Sequence, residues 1–444
     1  MKEKFLVIVF IVLGVLSVFQ VSAINNSQTN FKVLGQAAFD ENLFKEDFNP
    51  QNSLNFADDS LITLVFGGDV MLSRKINYLL KQADNYFIPF INLEKFFKSS
   101  DISMINLESP LVENCPVLNN STMTFCAEEK FAEVLKQAGI NYVSFANNHY
   151  LDYGNKGYDS TNKYLQNQNI EIINNGQEKI TTIKDKKIGL FSYNLTWNNI
   201  TNEELASKIE NLKNKVDFLI INYHWGEEYQ DEPNNYQKEI AHLSINSGAD
   251  LIIGHHPHHV QPIEKYNGKY IFYSLGNLVF DQNWSYKTRI GELVKITLNN
   301  DNQVFYEIYP TRIDDFINVK VVEKFMDYQK INLNLGKYNY LLVIADNNEK
   351  RANGLSNIEL MSVNEGMMFV FDKPDFYYFW MKDMNFPLDF IFIRDNEVVD
   401  LLENITLETY PQSFTSKVQA DKVIELNSGE IKKSGIKIGD KLDI

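Results

Sequence analysis

Residues 61–69 read LITLVFGGD: an apolar run of strand length, two glycines, then a carboxylate. The same grammar returns down the chain. ISMINL (102–107) runs into Glu108, 142–145 into ANNH (146–149), 218–223 into His224, and 251–253 into GHHPHH (254–259). A further strand-like run occupies 188–193. Between these runs lie stretches of helical period. In EKFAEVLKQA (129–138), Phe131, Val134, Leu135 and Ala138 share one face and Gly139 supplies the stop. Segments 158–168, 202–212 and 236–247 read the same way. Alternating strands and helices predict an α/β core. Past it, 261–266 and 270–275 flank Asn267-Gly268-Lys269, a hairpin signature, and 293–298 and 303–309 flank another polar turn.

These patterns divide the chain. The first domain is expected over 60–315, with a linker at 316–334. From 335 to 444 the grammar changes to short strands (341–344, 367–371, 390–393, 423–426) and a brief helical segment at 431–434, which reads as a small α+β, β-rich domain. At the other end, Lys2 and Lys4 precede an apolar run, and Val21-Ser22-Ala23 offers a cleavage site. Residues 1–23 are therefore a signal peptide or an uncleaved anchor, and either places the chain outside the cytoplasm. Residues 24–59, rich in Asn, Gln, Ser and Asp, read as a linker.

Composition narrows the chemistry. Among 444 residues, 58 acidic against 42 basic side chains give a net charge of -16, which argues against nucleic acid as a partner. An anionic polymer or phosphate-ester substrate then requires local cations. Two cysteines exclude a disulfide-dense scaffold and a four-thiolate zinc site. In an oxidising compartment Cys115 and Cys126 can close a loop; otherwise they are two free thiols. Only seven histidines occur, and four of them fall within 255–259.

The polar residues cluster where the apolar runs stop, and in α/β sheets the carboxyl ends of the strands face one crevice. Asp69, Glu108, Asn148, His224, His255, His256 and His258 are thus candidate ligands. Carboxylates, an amide and imidazoles suit two divalent ions of the manganese, iron or zinc type. Such a pair would hydrolyse a phosphate ester, with His149 as the acid and Arg74 orienting an anionic oxygen.

GDVMLSR (68–74), INLESP (105–110), ANNHYLDYG (146–154), HWGEEY (224–229), GADLIIGHHPHHVQPIE (248–264) and YSLGNLVFDQ (273–282) resemble the CapA, poly-γ-glutamate capsule-synthesis family. That family is similar in turn to calcineurin-like metallophosphoesterases. The resemblance implies a four-layered α/β sandwich, a dinuclear centre on Asp69, Glu108, Asn148, His224, His256 and His258, and His149 as the catalytic imidazole. The phosphoesterase pattern opens with Asp-x-His, whereas Asp69 here is followed by Val70-Met71, and Asn106-Leu107-Glu108 stands where a Gly-Asp block belongs. NGLSN (353–357), NEGMMFVFD (364–372), FWMKDMNFPLDFIFI (379–393) and IELNSGEIKKSGIKIGDKL (424–442) resemble the DUF 192 family, which implies no reaction. There, 379–381 and 386–388 form either a ligand-binding wall or simply core. Two functional classes remain: a metal-dependent hydrolase of capsule or envelope polymer synthesis, or a non-enzymatic scaffold that binds an anionic polymer or a membrane synthase.

Overall fold

The glycines after the first apolar run do not end the strand. Ile62–Val70 continues through Gly67-Gly68, with its register slipping between Phe66 and Asp69. A Cβ on Gly68 would stand 2.0 Å from the Gly276 carbonyl oxygen, so the glycine lets the strand pass close to another backbone. The computed structural model describes residues 61–116, 122–197, 200–322, 325 and 328–444. The expected signal or anchor (1–23) and linker (24–59) lie outside the described residues.

Ile62–Val70 is central to the first sheet. It pairs in parallel with Ile102–Leu107 and Asn277–Val279, and antiparallel with Ile290–Leu298. Tyr142–Phe145 and Glu171–Asn174 extend the parallel side, while Val304–Asp314 and Asn318–Val321 extend the other. Among the described residues, the second sheet has twelve strands. One parallel run in it is formed by Lys186–Asn194, Phe218–His224, Leu251–His255 and Lys269–Phe272.

Period-two alternation builds the layers. Leu64 and Phe66 point from the first sheet toward Ile220 and Ile253 of the second. Val65 points the opposite way, against Ile76 and Leu80 of helix Arg74–Gln82 and Leu135 of helix Phe131–Gln137. On the far side, Leu219, Ile221 and Tyr223 bury against Leu205 and Ile209 of helix Asn202–Lys213 and Ile240 of helix Asn235–Asn246. Each such side chain contributes roughly 1.5–3 kcal/mol by leaving water. The result is the expected four-layered sandwich, helices outside and two sheets within. Thr201 and Asn234 open the last two helices with reciprocal capping bonds.

Several boundaries differ from the sequence reading, the strands Ile290–Leu298, Val304–Asp314, Tyr338–Ala345, Glu365–Asp375, Leu388–Arg394 and Ala420–Asn427 all running longer at one or both ends. The helix expected over 158–168 is Gly154–Asn167. The strand expected at 251–253 runs on to His255, because Gly254 and His255 keep register with Tyr223 and His224. Within 316–334, Asn318–Val321 is a strand of the first sheet, and Lys330–Leu335 pairs with Tyr338–Ala345.

The C-terminal region is β-rich and continues the second sheet. Tyr338–Ala345 meets Ile263–Tyr266 through the pair Ile263↔Asn339, and then follow Glu365–Asp375, Ala420–Asn427, Leu388–Arg394 and Glu397–Ile405. A single sheet therefore runs through both regions. Among the described residues, no helix is long and apolar enough to cross a membrane.

Candidate metal centre

The parallel strands end together, and their registers fix which side chains meet. Asp69 lies beside Asn106 on one side and Asn277 on the other, and His224 lies beside His255. Asp69, Glu108 and His224 are buried almost completely. Asn106 joins them. Its Nδ2 donates to Asp69 Oδ1 (2.8 Å) and Glu108 Oε1 (3.0 Å), and lies 3.2 Å from His224 Nδ1.

From the second sheet, His256 donates its backbone N–H to Asp69 Oδ2 at 3.2 Å. His258 Nδ1 stands 3.2 Å from the same oxygen and 3.0 Å from Asn277 Oδ1. His255 Nδ1 is 3.3 Å from Asp69 Oδ1, but off the alignment of a hydrogen bond. His256 and His258 have φ of +98° and +57°, a conformation that costs a non-glycine residue free energy and gathers at functional sites.

Two groups have the compactness of cation sites. Asp69, Glu108 and His258 form one, and Glu228, His256 and His258 the other, with ligand atoms inside each group within 4.8 Å of one another. His258 is common to both. Of the expected ligands, Asp69, Glu108, His256 and His258 fall in these groups. His224 and Asn148 lie beside them, bonded to each other and, through His224, to Asn106, and His255 lies against Asp69 from outside.

The charge states fit a cation. Burial would raise the Asp69 carboxyl, but the imidazoles of His255 and His258 against its two oxygens outweigh it and hold it well below the carboxylate range. Glu108 is pushed the other way, well above that range, by burial and then by the Asp69 charge. Burial, reinforced by the neighbouring imidazoles, lowers His224 well below its ordinary value and His256 to about 4. Neutral imidazoles are the ligating form. Glu108 Oε2 and His256 Nδ1 are buried without a partner, and a divalent ion would satisfy both.

His149 is held beside this cluster. Its Nδ1 donates to Asp152 Oδ2 (2.8 Å), a carboxylate that also accepts the Phe125 backbone N–H at 2.6 Å. The Phe125 ring stacks on the imidazole at 3.9 Å. Nε2 faces Asn148, whose Oδ1 in turn meets His224 Nε2 at 2.8 Å. Asp152 thus fixes the tautomer and leaves Nε2 toward the cluster. Arg74 is buried beneath: it pairs with Asp281, donates to the Thr122 carbonyl at 3.1 Å, and lies over Phe125 at 4.6 Å. The guanidinium is thereby engaged, with only Nε lacking a partner.

Sequence reasoning missed Glu228, Asn106, Asp152 and Phe125. Glu228 sat in the quoted block HWGEEY, and Asp152 three residues after His149, a spacing that brings side chains together in a helical turn. Phe125 carried no signal beyond its neighbour Cys126, which is bridged to Cys115.

Residues 63–282 match the family model of the bacterial capsule synthesis protein PGA_cap. The "PGA biosynthesis protein CapA" of Bacillus subtilis (strain 168) is 31% identical over 281 residues, covering 58% of this chain and 73% of that protein. The chain belongs to the PGA_cap family. Among other PGA_cap relatives, the "Capsule biosynthesis protein CapA" of Bacillus anthracis is 27% identical over 285 residues, 58% of this chain and 69% of that one. A "Probable polyglutamine synthesis accessory protein" of Mycobacterium tuberculosis (strain CDC 1551 / Oshkosh) is 22% identical over 286 residues, 50% of this chain and 75% of that one. Beyond the PGA_cap segment, residues 332–444 match DUF192, a family of uncharacterised proteins. Every side chain of the cluster lies inside the PGA_cap match.

Proposed function

We propose that this PGA_cap protein is an exported accessory of capsule, poly-γ-glutamate or other envelope-polymer synthesis, and that its strand-end cluster is a metal-dependent phosphoesterase-type hydrolase site. The observation that carries the reading is convergence. Side chains from four strand ends meet at two cation-sized groups sharing His258, beside an imidazole from a fifth that is already oriented by a carboxylate.

Asp69, Glu108 and His258 would hold one ion, and Glu228, His256 and His258 the second. A bound divalent ion supplies a water of lowered pKa and charge stabilisation for phosphoryl oxygens. The chain's own residues do the rest. His149 Nε2 delivers a proton to the leaving oxygen, Asp152 stabilises the imidazolium that precedes delivery, and Phe125 keeps water from the ring face. Arg74, locked to Asp281, supports Phe125 and thereby His149. Export accords with the basic, apolar N-terminus and with the Cys115–Cys126 bridge, since disulfides persist in oxidising compartments. A membrane polymer synthase is the partner we assign.

One observation favours the second reading, a non-enzymatic metal-containing scaffold. The Asn106 amide already bonds both carboxylates, so part of the charge that a second ion would neutralise is met within the chain. Metal analysis of the full chain, with turnover of bis(p-nitrophenyl) phosphate in added manganese, separates the two. Bound metal with turnover that falls on His149→Ala supports the hydrolase. Metal without turnover supports the scaffold, and absence of metal sinks both.

A further inference from the structure

The C-terminal region buries a carboxyl that nothing nearby explains. In strand Ala420–Asn427 the side chains alternate between two apolar layers: Ile424 and Leu426 pack into one, Val423 into the other. Glu425 falls on the Val423 side, between Met367 and Phe390 of the flanking strands, where the pattern calls for an apolar residue. It is 5% exposed, and among the described residues it has neither a hydrogen bond nor an ion pair. Burial alone pushes its carboxyl up to about 8. Buried polar side chains without partners are uncommon and ask for an explanation.

The explanation lies in front of it. Glu425 lines a cavity of about 280 Å³ that has aromatic side chains along one part of its wall, among them Phe371, Tyr377, Phe379 and Trp380, and the segment 351–356 along another. Tyr377 and Phe371 stack at 3.4 Å, and Phe379 packs edge-on to Phe369 at 5.1 Å, so these rings are held in place. Tyr378 and Trp380 at the mouth are 68% and 60% exposed, an uncommon display of large aromatic surface. The basic group on this wall, Arg351, is held by the Asp346 and Val370 carbonyls at 3.0 and 2.6 Å and by Asn348 Oδ1 at 2.8 Å, and lies over the Phe371 ring at 5.2 Å, with neither hydrogen bond nor ion pair to Glu425.

Aromatic faces around a carboxylate attract cations. A single carboxylate with no histidine or second acid is too few ligands for a metal ion. We propose that this cavity is a binding site for a ligand bearing a protonated primary amine, whose ammonium inserts between the aromatic rings and pairs with Glu425. The site is separate from the strand-end cluster and stands or falls without it.

Calorimetry on the full chain tests this with Nα-acetyl-lysine methylamide as probe, against its Nε-acetylated form and N-acetylglucosamine. The expected result is saturable binding of the free amine, with proton release as Glu425 ionises. Glu425→Gln should weaken it at least ~10-fold, the factor that about 1.4 kcal/mol represents, and Trp380→Ala, a surface change, several-fold. Binding of the acetylated probe or the neutral sugar as tightly as the amine would overturn the proposal. So would unchanged affinity in either variant, or no saturation with the amine.

Discussion

Asp69 and Glu425 are both carboxyls nearly cut off from water, yet their surroundings treat them oppositely. Asp69 sits where five strand ends meet and is bonded by Asn106, the His256 amide and flanking imidazoles, which keep it ionised. Glu425 lies within a strand, in an apolar layer, and is kept protonated. A carboxylate at strand ends is cheap to stabilise because several elements deliver donors there. Inside a sheet the backbone donors are consumed by the ladder, so only an outside partner can stabilise the charge.

That contrast can be broken by mutation. The largest effect is expected from Asp69→Ala, which takes one acceptor from Asn106 and from the His256 amide, removes the charge beside His255 and His258, and removes a ligand from one group. Metal retained by the full chain should fall at least ~10-fold, and unchanged metal content would refute the assignment. Next comes the bridge that anchors Phe125: replacing Cys115 and Cys126 by serine should cost about 3 kcal/mol in chemical denaturation. Asp152→Asn should lower kcat on the phosphodiester by ~10–100-fold with metal content intact, and should shift the pH–rate profile, which a merely structural role would not move. The smallest effect concerns pH. Glu425 has a folded value raised to about 8 from 4.5, so the folded chain holds its proton longer than the unfolded one. Its stability contribution is full below pH 4.5 and is lost as pH rises toward 8. The melting temperature should therefore decline across that range, and Glu425→Gln should flatten the decline.

Much of this was legible in the sequence because the α/β pattern is local. Runs such as 102–107 and 218–223 name their strands, and polar residues just past them fall in one crevice by topology. The DUF192 strands of high apolar content, 341–344 and 423–426, were equally visible. Strands Lys330–Leu335 (KINLNL) and Glu397–Ile405 (EVVDLLENI) were not, since half-exposed strands carry polar residues that mimic loops. Glu228 escaped because it lies in a loop whose path is set by contacts such as Tyr229 N–H to the Pro257 carbonyl, which no periodicity records. The unpaired Glu425 was hidden too: its neighbours Met367 and Phe390 are more than thirty residues away in sequence.

The continuous second sheet has a consequence for solubility. Ile263–Tyr266 is held on one side by Lys269–Phe272, and on the other it meets Tyr338–Ala345 and donates the Ile263 N–H to Asn364 Oδ1 at 3.1 Å. Without the C-terminal region this strand would be a bare edge, offering its backbone groups to any passing chain. The DUF192 segment is thus also a built-in guard against aggregation of its capsule-family neighbour, whatever else it binds.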